Sequence, residues 1–134
     1  MENYLLLFSV FLVLIIILIY WYFSQNNNLW RKNVKAKLAG LDKLSKTDEI
    51  YRLKSIVMEA DKLLDYALKN RGVKGETLGE RLKNAKKLID WKDYQNAWEG
   101  HKLRNKMAHE MDFTPTSKDL KEKYEFLRTA IKKL

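Results

Sequence analysis

The chain has no cysteine, a single proline, and only two histidines, His101 and His109, in its 134 residues. Without cysteine there can be no disulfide and no thiolate metal site. No stretch alternates apolar and polar residues with period two, so no half-buried strand is expected. Gly72, Gly75 and Gly79 follow no strand and read as a helix connection rather than a phosphate loop, and no serine or cysteine nucleophile arrangement is present. His101 and His109 stand eight residues apart, roughly 12 Å along a helix, too far to share one ion. His109-Glu110 opens like H-E-x-x-H, but the second histidine is missing. Neither a metal nor a cofactor is expected.

Charge is missing too, from Tyr4 to Phe23, where the run YLLLFSVFLVLIIILIYWYF contains one small hydroxyl, Ser9. A helix of this length, rising about 1.5 Å per residue, spans the roughly 30 Å hydrocarbon core. Tyr4 at one end and Tyr20, Trp21 and Tyr22 at the other suit the membrane interfaces. A cleaved signal peptide would need a basic start, a shorter apolar run and a small-residue cleavage site, whereas Met1-Glu2-Asn3 has no Lys or Arg and SQNNN follows the run. Arg31, Lys32, Lys35 and Lys37 crowd the C-terminal flank, so the positive-inside rule predicts an N-terminus outside and the remainder in the cytoplasm.

The net charge of +9 falls almost entirely beyond the anchor, since Glu2 is the only charged residue before Arg31. Such a balance favours phosphate-bearing partners, either nucleic acid or anionic lipid, although lysines interleaved with acids are also the ordinary look of solvated helix faces.

Three segments follow from composition and periodicity. Residues 1–24 form the anchor. Residues 25–46 read as a juxtamembrane linker, Ser24 to Asn28, and a short amphipathic helix spaced by Trp30, Val34 and Leu38 and stopped by Gly40. Residues 47–134 hold one small domain. Within it Ile50, Leu53, Val57, Ala60, Leu64 and Ala67 predict a helix over 48–70, with Ser45 and Asp48 as its capping box. Thr77 to Glu80 opens a second helix running through Leu88-Ile89. A third is expected over 93–110. A fourth, over 117–134, carries the seam Leu120, Tyr124, Leu127, Ile131 and Leu134 after the break at Pro115. The fold class is all-α: a single transmembrane helix followed by a bundle of about four main helices.

One stretch has chemical potential, Trp98-Glu99-Gly100-His101-Lys102-Leu103-Arg104-Asn105-Lys106-Met107-Ala108-His109-Glu110. On a helical wheel Asn105 and His109 stand about 40° apart, while Arg104 lies about 140° round from His109. One straight helix does not readily aim Arg104 and His109 at a single atom, so either its end is irregular or two copies meet.

The R-N-x-x-x-H arrangement of Arg104, Asn105 and His109 on a late helix resembles the HEPN family. Glu59-Ala60-Asp61 and the segment Gly75 to Lys83 extend the likeness to membrane-anchored HEPN-like bacterial proteins, over about residues 47–134. The resemblance implies a metal-independent endoribonuclease at the inner membrane, working as a homodimer with a shared cleft. Arg104 would hold the scissile phosphate, His109 would be the general acid/base, and Asn105 would orient one of them. Met111 stands where some members carry a tyrosine, so activities tied to that tyrosine are not implied.

The residues also admit a non-catalytic dimerisation or binding module at the membrane surface. In that reading Arg104 pairs with Glu59, His109 caps its own helix, and His101 is a packing residue. Trp91, Tyr94 and Trp98 are then core residues rather than a base-stacking platform.

Overall fold

The computed structural model describes the backbone of residues 2–134 and, apart from residues 2–3 and 26–28, the side chains. Five helices are found among these residues: α1 (Glu2–Leu44), α2 (Ile50–Asn70), α3 (Leu78–Asn84), α4 (Trp91–His109) and α5 (Ser117–Lys132). No strand occurs among the described residues. The contacts divide the chain into two units, Met1–Lys32 and Asn33–Leu134.

In the first unit the side chains from Tyr4 to Gln25 are exposed, including every large apolar one. This is one helix long and apolar enough to cross a membrane. The Met1-Glu2-Asn3 flank used to orient it lies outside the described side chains.

The linker expected at Ser24–Asn28 is helical, and Gly40 does not end the helix. Ser, Gln and Asn cost only a few tenths of a kcal/mol each relative to alanine, whereas restarting a helix would repeat its nucleation. Gly40 costs about 1 kcal/mol but is held from both sides. Val34 and Leu38 are buried before it, and beyond it Asp42 Oδ1 accepts 2.6 Å hydrogen bonds from Tyr124 Oη and Arg128 Nε on α5. The compact second unit therefore begins at Asn33 rather than near residue 47.

The apolar spacing of α2 puts Leu53, Ile56, Val57, Ala60, Leu64, Ala67 and Leu68 on a buried face. That face meets the seam of α5, where Leu120, Tyr124, Leu127 and Ile131 are buried as their spacing predicts. α5 also packs along α4, and α3 sits against both α2 and α4. Gly100 permits the close approach of α4, since a Cβ there would lie 2.6 Å from Leu127 Cγ.

Helix ends differ from expectation in places. No Ser45/Asp48 capping box forms: α2 begins after Glu49, and Asp48 instead pairs with Lys121 at 2.6 Å. The Thr77 cap is present, accepting from the Glu80 amide, but α3 stops at Asn84. Asp90 caps α4, accepting from the Asp93 amide at 3.1 Å, and residues 85–89 form the turn between α3 and α4. Thr116 and Asp119 form a capping box on α5.

Candidate functional site

Two turns of α4 carry His101, Arg104 and Asn105, which the helical repeat sets on one face toward α2 and the start of α3. There they line a cleft of about 500 Å³ with Asp61, Lys62 and Asp65 of α2 and Thr77, Leu78 and Gly79 around the start of α3. The Arg81 side chain, largely buried, donates to Asp65 Oδ1 at 2.6 Å and ties α3 to α2 at the edge of this cleft. Trp98 backs the cleft, its ring edge-on to His101 with centroids 5.9 Å apart. Gly79 lines the cleft opposite His101, and a Cβ there would stand at ordinary contact distance, 3.6 Å, from His101 Nε2.

Asp61 is the buried centre of the cluster, 4% exposed. Its Oδ1 lies 2.8 Å from His101 Nδ1 and its Oδ2 lies 3.4 Å from Arg104 Nε. The second contact is an ion pair without hydrogen-bond geometry, so the buried Arg104 Nε–H has no acceptor. Arg104 Nη1 donates to Asn105 Oδ1 at 3.0 Å, and Asn105 Nδ2 lies 3.2 Å from His101 Nε2. The four side chains thus close a ring.

The ring also determines proton positions. A guanidinium only donates, so the Asn105 oxygen must face Arg104 and its NH₂ must face His101. His101 Nε2 therefore presents a bare lone pair, and the proton sits on Nδ1, directed at Asp61. A carboxylate behind Nδ1 with an unprotonated Nε2 in front, here held by Asn105, is the arrangement that orients an imidazole as a general base.

Of the residues expected to act together, Arg104 and Asn105 share the cleft. His109 does not line it: it is exposed in the last turn of α4, one turn beyond Asn105. Glu59 pairs with Lys62 at 2.9 Å, and the partner of Arg104 is Asp61, two residues further along and buried on α2. His101 is more than packing, since both of its ring nitrogens are engaged. Trp91 is exposed and stacks on the buried Tyr94, so neither forms part of the cleft. Asp61 and His101 carried a signal in the sequence. His101 is three and four residues before Arg104 and Asn105, and Asp61 is an acid at an apolar-face position of its helix.

Comparison of the chain with family models, curated proteins and solved structures yields no match. The functional reading therefore rests on the cleft.

Proposed function

We propose that this protein is a single-pass, HEPN-like membrane protein whose helical unit faces the cytoplasm and cleaves RNA without a metal. The observation that carries the reading is the Asp61–His101 pair opening on a cleft beside Arg104. Arg104 binds the phosphate and stabilises charge developing on it, and Lys62 at the rim adds attraction for the backbone. His101 Nε2 takes the proton of a ribose 2′-hydroxyl as its oxygen attacks phosphorus. The P–O5′ bond breaks, leaving a 2′,3′-cyclic phosphate, and the 5′-oxygen needs a proton. His109 of a second copy in a homodimer supplies it, which preserves the acid/base role assigned to that residue by the HEPN resemblance.

The full chain in uncharged detergent should cleave single-stranded RNA in EDTA, with cyclic phosphate or 3′-phosphate ends. Arg104→Lys should lower cleavage at least tenfold while the circular-dichroism spectrum stays helical. RNA left intact at every protein concentration tried would refute the catalytic reading.

One observation favours a second reading, a non-catalytic dimerisation or binding module held at the inner membrane. The ring from Asp61 through His101 and Asn105 to Arg104 engages all four side chains within the chain itself. That is what a structural network joining α2 to α4 requires.

A further inference from the structure

Asn105 holds the cleft-side nitrogen of His101 and one N–H of Arg104. Its Nδ2–H covers the only lone pair of His101, and its Oδ1 covers Nη1 of Arg104. While the carboxamide covers that lone pair the base cannot accept from a ligand hydroxyl, whereas Asn105 takes up only one of the five N–H donors of Arg104. The carboxamide is half-exposed on the cleft side of α4 and turns on two side-chain torsions, whereas Asp61 and His101 are packed in place.

We propose that Asn105 is a latch that stands in for the ligand in the resting cleft and swings aside when the ligand enters. The inference rests on the RNA reading above and specifies what the site recognises. A carboxamide offers one donor and one acceptor across a single carbon. The group that replaces it must offer a donor to His101 Nε2 and an anionic acceptor to Arg104. A ribose 2′-hydroxyl beside a 3′-phosphate presents that pair, while a 2′-deoxy nucleotide presents only the acceptor. Asn105 is thereby a positioning residue: it keeps His101 in the tautomer that accepts a proton, and its displacement couples base to phosphate. Because binding must first open the latch, apparent affinity is reduced by the fraction of time the latch is closed.

The test uses the full chain in uncharged detergent, ¹⁵N-labelled at histidine, with uridine 3′-monophosphate and its 2′-deoxy analogue as probes. With two histidines the spectrum is assignable through His109→Gln. Free wild-type protein should show His101 protonated on Nδ1 with Nε2 bare. Uridine 3′-monophosphate should shift His101, and the deoxy analogue should bind more weakly with a smaller His101 shift. Asn105→Ala should bind uridine 3′-monophosphate about three- to tenfold more tightly, the worth of the one or two net hydrogen bonds no longer displaced. Asn105→Asp, with acceptors at both ends, should instead give a doubly protonated His101 and bind at least tenfold more weakly. A purely structural Asn105 would weaken binding in both variants alike.

Wild-type binding with no gain in folded Asn105→Ala would overturn the latch alone, as would an Nε2-protonated His101 in the free protein, whatever the variants do. Absence of a His101 shift in wild type and Asn105→Ala would overturn the latch and the RNA reading together.

Discussion

Asp61 and His101, forty residues apart in the chain, meet at 2.8 Å and join α2 to α4 through a pair that is almost closed to solvent. The same carboxylate faces Arg104, so one buried acid organises both His101 and Arg104. Its removal should therefore be felt in stability as well as in activity.

Asp61→Ala should cost about 3 kcal/mol, because it strips the buried His101 Nδ1–H of its acceptor and leaves Arg104 without its counter-charge. Asp61→Asn keeps an acceptor but no charge and should cost less, about 1–2 kcal/mol. Urea unfolding of the full chain in detergent measures both. Equal, negligible losses would mean that the pair does not hold the two helices together.

At Gly100 α4 comes close against α5. An alanine Cβ would stand 2.6 Å from Leu127 Cγ and 3.2 Å from the backbone oxygen of Lys123, so something must move. Overpacking of this kind costs about 1–3 kcal/mol, offset by up to about 1 kcal/mol of helix propensity. Gly100→Ala should lower Tm by several degrees. Leu127→Ala made together with it should cost less than the two changes summed, since the smaller side chain relieves the clash.

Apolar spacing in the sequence reveals α2 and α5 almost completely, because both bury one continuous face, from Leu53 to Leu68 and from Leu120 to Ile131. The continuity of α1 is not legible in this way. Ser24 to Asn28 and Gly40 are weak helix formers, and nothing local announces that Asp42 will be held by Tyr124 and Arg128 more than eighty residues later. The cleft was half legible for the same reason. Arg104 and Asn105 are neighbours on one helix, and His101 follows from the helical repeat. Asp61 required knowing which face of α2 meets α4, and a motif reading drew attention to His109, which stands one turn beyond Asn105 at the end of α4 and outside the cleft.

Acid should unfold the second unit through a small set of carboxylates. At Asp42 burial works to raise the pKa, but hydrogen bonds from Arg128 and Tyr124 outweigh it, and the net displacement is downward from 3.8. The Lys133 ammonium holds Asp90 down at about 2, and the Thr116 cap lowers Asp119. Depressed carboxylates contribute stability that is fully present above their unfolded value and lost as pH falls through the folded one. Stability should therefore hold down to about pH 5 and decline between about 4 and 2. Asp42→Asn should be weaker at neutral pH, by about 1–2 kcal/mol, because Tyr124 and Arg128 lose a charged acceptor, and its acid decline should be shallower. A decline of the same depth in both proteins would remove Asp42 from the explanation.

The basic flank from Arg31 to Lys37 predicts that the helical unit lies in the cytoplasm. Alkaline phosphatase fused after Leu134 should be inactive in a bacterial host, and a fluorescent protein at the same position should fluoresce. An active phosphatase fusion would put the cleft on the wrong side of the membrane for RNA.

The two histidines separate a cleft complete within one chain from one completed by a second copy. His101→Ala removes the imidazole beside Arg104 and should abolish cleavage in any arrangement that uses this cleft. His109 is exposed at the end of α4 and lies outside its own cleft, so His109→Ala can matter only through a neighbour or through the helix end. If a partner's His109 protonates the leaving 5′-oxygen, His109→Ala should be inactive on ordinary RNA. It should regain much of its rate on a substrate whose 5′ leaving group is a nitrophenolate, which needs no proton. Mixing His109→Ala with His101→Ala should also restore up to about a quarter of wild-type activity, since half the dimers are mixed and each carries one intact pairing. Full activity in His109→Ala alone would place all the chemistry within one chain. Failure of the mixture to recover activity, with subunit exchange verified by a fluorescent label, would exclude the partner's histidine from the reaction.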